Sequence, residues 1–137
     1  MQNNVTNPLY LPRYVCTGFS FPAGAGVAVE PYLAVNRDGS PVANGTATTF
    51  VDGVSGTSTK ADNNEYFTLV TDEIAVMKVD AGARIAYDAP VSASDSGTGC
   101  VRTGVIGTDF IIGRALDVSD GSSTTEKPHY IRVHLYL

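Results

Sequence analysis

The stretch Tyr130-Ile131-Arg132-Val133-His134-Leu135-Tyr136-Leu137 alternates apolar and polar residues without a break. Successive side chains of an extended chain point to opposite faces. Ile131, Val133, Leu135 and Leu137 therefore share one face, with Arg132, His134 and Tyr136 on the other. This is the pattern of a strand with one side in a core. Other β-branched and aromatic runs precede it at 14–21, 32–36, 46–51, 66–71, 73–79, 83–87, 100–103 and 110–117. Arg37-Asp38-Gly39-Ser40 and Asn44-Gly45 are hairpin signals, because Asp-Gly and Asn-Gly accept the positive φ of a tight turn. Residues 52–64 are rich in Gly, Ser, Thr, Asp and Asn and read as a loop. Short strands at this spacing predict an all-β chain folded as a small single-domain barrel or sandwich.

Composition agrees with that reading and narrows the function classes. A chain of 137 residues holds one domain and can bury a core without a metal or disulfide staple. The charged fraction is 17% against 43% hydrophobic, too apolar for a disordered tail. A net charge of −5 leaves no basic face for phosphates, so neither nucleic acid nor an anionic membrane is an expected partner. No apolar run reaches the length of a membrane-spanning helix. The start of the chain has neither the basic nor the apolar segment of a secretory signal, and Cys16 and Cys100 are expected to be reduced, buried thiols.

Residues 1–13 differ from the rest. Pro8 and Pro12 block a helix and a central strand, which predicts an extended N-terminal arm ahead of a single β domain over 14–137. Leu9, Tyr10 and Leu11, with Tyr14 just beyond, are costly to leave in water. They are the candidate contact residues of an arm that docks on its own subunit, on a neighbour or on a larger assembly.

The body contains an internal self-similarity, a pseudo-duplication with repeats at about 20–71 and 79–137. Ala23-Gly24-Ala25-Gly26-Val27-Ala28 recurs as Ala81-Gly82-Ala83-Arg84-Ile85-Ala86, with Leu33 answered by Val91, Gly39 by Gly97 and Val42 by Cys100. Phe50-Val51-Asp52-Gly53 is then answered by Phe110-Ile111-Ile112-Gly113, and Tyr66-Phe67-Thr68-Leu69 by Tyr130-Ile131-Arg132-Val133. The paired glycines Gly24 and Gly82, Gly39 and Gly97, and Gly53 and Gly113 read as structural turn or close-approach positions. One half alone would leave an apolar sheet face in water, so the halves are expected to pack as one unit.

The sequence offers little for catalysis or metal binding. His129 and His134 lie at odd spacing in one strand and point to opposite faces, so they cannot share a metal. No serine sits in a nucleophile-elbow context, and the glycine-rich stretches lack a phosphate-loop lysine. Asp62-Asn63-Asn64-Glu65 and Asp117 with Asp120-Gly121 depart from a calcium loop and read as turns. The expectation is a protein that is not an enzyme and carries no metal and no cofactor.

The order of three segments resembles the bacteriophage capsid cement, or head decoration, family. The segments are Val79-Asp80-Ala81-Gly82-Ala83-Arg84-Ile85, Ile112-Gly113-Arg114-Ala115-Leu116 and Ile131-Arg132-Val133-His134-Leu135. Residues 67–78 are similar to the family's central strand pair, and the resemblance spans about 20–137, leaving the arm outside it. It implies a small β protein, a homotrimer, that binds the major capsid protein on the outside of an assembled phage head and clamps neighbouring capsomers. It implies residence on the exterior of the virion after synthesis in the host cytoplasm, and no catalytic residue. A second class is a glycan- or receptor-binding β module of a phage head or tail that uses loop residues such as Asn63-Asn64-Glu65-Tyr66. The single-domain reading has a direct check. Limited proteolysis should give no independently folded half, and denaturant unfolding should be one cooperative transition; two stable fragments of about half length would refute it.

Overall fold

The computed structural model describes residues 4–8, 18–57 and 65–137. The architecture is all-β, a small sandwich of several sheets with no helix among the described residues. Eleven short strands follow in order: β1 Gly18–Pro22, β2 Ala34–Val35, β3 Gly53–Ser55, β4 Tyr66–Val70, β5 Ile74–Lys78, β6 Arg84–Ile85, β7 Pro90–Ala93, β8 Val101–Thr103, β9 Gly113–Ala115, β10 Ser119–Asp120 and β11 Tyr130–Leu135. They form a four-stranded sheet ordered β1-β4-β3-β2, a five-stranded sheet ordered β5-β11-β9-β7-β8, and the small pair β10-β6. The alternation of the last strand holds, with Ile131, Val133 and Leu135 buried and His134 exposed.

The first four strands of the large sheet repeat the order and register of the smaller one. Val35 lies opposite Gly53 as Val91 lies opposite Gly113, and Leu69 opposite Phe19 as Val133 lies opposite Ala75. The connecting backbone repeats too. Tyr32 N–H donates to Ser55 O and Asp88 N–H to Ala115 O, each at 2.8 Å, and Tyr32 and Asp88 are both left-handed, with φ of 70° and 62°. Likewise Ala23 N–H donates to Glu65 O and Val79 N–H to His129 O. Each sheet also curls until its ends are tied. Val79 bridges Val101 and Asp80 N–H donates to Val101 O, whereas in the first half Gly24 N–H donates to Asp38 O.

The glycines expected to pair take two roles. Gly39, Gly82 and Gly97 have φ of 87°, 75° and 76°, the left-handed region that glycine tolerates best. Gly53 and Gly113 are instead sites of close approach. A Cβ on Gly53 would stand 2.8 Å from Val70 O, and one on Gly113 would run into the carbonyl of His134. Gly24 opens a turn, accepting from Val27 N–H at 3.0 Å, and a Cβ on it would stand 3.1 Å from Asp38 Cβ. Its pairing with Gly82 is the correction, because the left-handed residue that matches Gly82 is Gly26, at φ 75°.

Other strand expectations shift for physical reasons. Residues 46–51 form no strand, because Asn44 Oδ1 accepts from Thr46 N–H at 3.1 Å and from the Thr46 and Thr49 hydroxyls at 2.8 and 2.7 Å, folding the segment into a turn. β3 lies inside the stretch expected to be loop, and β7 was hidden by Pro90 at its first position.

Two core clusters hold the sheets together. Phe67, Leu69, Val29, Leu33, Val35, Ala23 and Cys100 fill the first half, with Phe21 against them. The larger cluster joins Ile131, Val133, Leu135, Met77, Val91, Ile85 and Val101 of the second half to Val42, Val51, Val54 and Val70 of the first. Asn4 and Val5 are bonded to the body, with Tyr130 N–H donating to Val5 O at 2.8 Å and Asp120 N–H to Asn4 Oδ1 at 3.2 Å. The glycine roles predict unequal costs. Gly113→Ala should lower stability by about 2–3 kcal/mol because backbone must move. Gly82→Ala, with open space around it, should cost about 1 kcal/mol of backbone strain. Denaturant titration of both variants checks the order.

Candidate functional site

Phe50 and Phe110 each stand three residues before a close-approach glycine, and the two rings meet edge to face with centroids 5.7 Å apart. The loops that carry them run antiparallel. Thr46 bridges Asp109, Ala47 N–H donates to Thr108 O at 3.1 Å, and Phe110 N–H donates to Gly45 O at 2.8 Å. The buried Ser92 hydroxyl reaches both strands of this ladder, 3.1 Å from Gly45 O and 3.0 Å from Phe110 O.

The second loop is fixed by charge. Arg102 lays its guanidinium on Asp109, with Nη1 2.7 Å from Oδ2 and Nη2 3.3 Å from Oδ1, while Val105 N–H donates to the same Oδ2 at 2.8 Å. The Asp109 side chain is only 6% exposed. Its hydrogen bonds from Arg102 and then from the Val105 backbone hold its carboxyl below the ordinary value. A backbone turn of Thr108 N–H and Asp109 N–H onto Val105 O completes the loop, with Gly107 in the left-handed region.

On this braced frame three large apolar side chains face water: Phe50 at 70%, Val105 at 57% and Ile106 at 71% exposure. Single exposed apolar residues need no explanation, but several on one pair of braced loops make these loops the candidate contact surface. The chemistry available here is desolvation rather than bond making. Holding the tip in advance lowers the ordering cost of binding.

The residues singled out from sequence fall elsewhere. Leu9, Tyr10, Leu11 and Tyr14, together with Cys16 and Asp62-Asn63-Asn64, lie outside the described residues. His129 is buried, its Nδ1 2.8 Å from Ser119 Oγ and its Nε2 3.4 Å from Ser122 Oγ, whereas His134 is exposed. Asp117 accepts a bidentate pair from Arg132 at 2.9 and 2.7 Å, and Asp120 caps the Ser122 backbone at 2.9 Å. No group of three potential metal ligands gathers among the described residues. Burial raises the Cys100 thiol above its ordinary value. A cleft of about 150 Å³ is lined by Glu30, Lys78, Asp80, Cys100 and Thr124, among others. The sequence did carry a signal for the tip, since Val105-Ile106 is an apolar pair between Gly104 and Gly107 with no alternating strand around it.

The Asp109 brace sets a pH dependence with a definite sign. A carboxyl held below its ordinary value adds stability above the usual carboxylate range and loses it as pH falls through the folded value. The loops should therefore loosen on acidification below about pH 4. Asp109→Asn should lower stability by about 1–2 kcal/mol at neutral pH and flatten that acid limb; amide exchange at Val105 and Phe110 reads both.

No protein-family model, curated protein or solved structure matches the chain.

Proposed function

We propose that this chain is a structural virion protein that binds the outer surface of a phage capsid and stabilises it by fastening neighbouring capsomers. The observation that carries the reading is the preorganised apolar tip, in which Phe50, Val105 and Ile106 are exposed on loops locked by the Arg102–Asp109 fork and the phenylalanine pair. A clamp needs this combination of a rigid scaffold and a desolvating contact, and its partner under this reading is the major capsid protein. The resemblance of residues 79–85, 112–116 and 131–135 to the capsid cement family supports the same direction. The acidic charge of −5 fits a protein shell better than the nucleic acid inside it. Action as a homotrimer belongs to the proposal, because copies held by symmetry multiply a modest contact. The arm carrying Leu9, Tyr10, Leu11 and Tyr14 is a second proposed tether.

Purified protein mixed with expanded heads that lack it should co-sediment with them and raise their resistance to heat and chelator. The double variant Phe50→Ser, Ile106→Ser should keep its fold and lose at least about tenfold in head affinity, as expected for removal of central apolar contacts. Light scattering tests the trimer, and deletion of residues 2–12 tests the tether. Wild-type protein that neither binds nor protects heads would overturn the reading.

A further inference from the structure

The repeated register gives one sheet face two different fates. On the smaller sheet, Val54 and Val70 are paired neighbours on the face turned away from Phe67 and Leu69, and both are buried, at 1% and 9% exposure. The corresponding pair on the large sheet is Arg114 and His134. There the row across the strands reads Pro90, Arg114, His134 and Ile74, and it faces out. Apolar packing residues in one copy are thus replaced by hydrogen-bonding ones in the other.

The groups on this row are arranged as a set. The Arg114 guanidinium lies 3.3 Å from the Asp88 carboxylate and donates to Asp88 O at 3.1 Å. His134 and Tyr136 meet edge to face at 5.7 Å, and Tyr136 is 54% exposed. Tyr136 follows His134 by two residues, so both lie on the face that carries Arg114. The pair Arg114 and Asp88 carries no net charge, so the row has no excess charge to attract an ion. It offers instead planar donors and acceptors with both partners still open to solvent, at 43% and 63% side-chain exposure, beside an exposed aromatic ring. A polar-aromatic face with balanced charge fits a neutral polyhydroxylated ring, whose C–H face would stack on Tyr136 and whose hydroxyls would bridge Asp88, Arg114 and His134.

We infer that the outer face of the large sheet, at Asp88, Arg114, His134 and Tyr136, is a binding site for a neutral saccharide. This goes beyond the capsid-binding proposal, and the two use different surfaces.

A glycan array carrying neutral and sialylated oligosaccharides, probed with the full chain, gives the first readout. A ¹H–¹⁵N titration with the tightest-binding neutral disaccharide then maps the site. The expected result is binding of neutral glycans with shifts centred on Arg114, His134 and Tyr136. Tyr136→Ala and Arg114→Ala should each weaken it about tenfold, the scale of one stacking or charged hydrogen-bond contact. Both positions are solvent-facing, and retained amide dispersion shows that the variants fold. Phe50→Ser should leave sugar binding unchanged, which separates this site from the loop tip. The inference is overturned by an array without neutral-glycan binding, by shifts elsewhere, or by a face that responds only to capsid protein.

Discussion

The backbone of β3 can approach β4, and that of β9 can approach β11, only because Gly53 and Gly113 carry no side chain there. Val70 O and His134 O occupy the space that a Cβ would need. These two positions sit beside the central strands of their sheets, so a displacement there would propagate to β2 on one side and β7 on the other. Both sheets therefore depend on the same steric exemption. The strand register, the left-handed Tyr32 and Asp88, and the backbone bonds from Ser55 and Ala115 are arranged around it.

From that shared frame the two halves diverge through their side chains. Val54 and Val70 turn one sheet into a layer with apolar packing on both faces, whereas Arg114 and His134 leave the corresponding face of the other sheet in water. If both faces were apolar, the large sheet would present an open docking surface and would invite unlimited stacking. Polar groups there remove that liability. The buried ion pairs follow a similar division of labour. Arg132 with Asp117 ties β11 to the bend after β9, and Arg102 with Asp109 ties β8 to the exposed loop.

The all-β class was legible because alternation survives wherever one face is buried, as in residues 130–135. Gly53 and Gly113, and Leu69 and Val133, occupy like positions in the strand pairing, where a strand register fixes each position. The match of Gly24 with Gly82 failed because alanine and glycine alternate there and composition alone could not fix which glycine bends left. Residues 46–51 misled for another reason, since β-branched threonines that favour strands also hydrogen-bond a neighbouring asparagine. Pro90 masked β7 because its lost donor matters only when the strand needs it. The apolar tip was the least legible element. Its exposure depends on a salt bridge and a ring contact between segments distant in sequence, and neither leaves a periodic mark.

The contact between Phe50 and Phe110 joins like positions of two like loops, yet both belong to one chain. Had the loops belonged to separate molecules, the contact would weaken on dilution and would bear the cost of bringing two bodies together. Within a single chain its effective concentration is set by the length of the intervening polypeptide and is independent of how many molecules are present. The braced tip therefore persists in a lone, highly diluted molecule. A surface of this kind is formed before any second copy of the chain arrives.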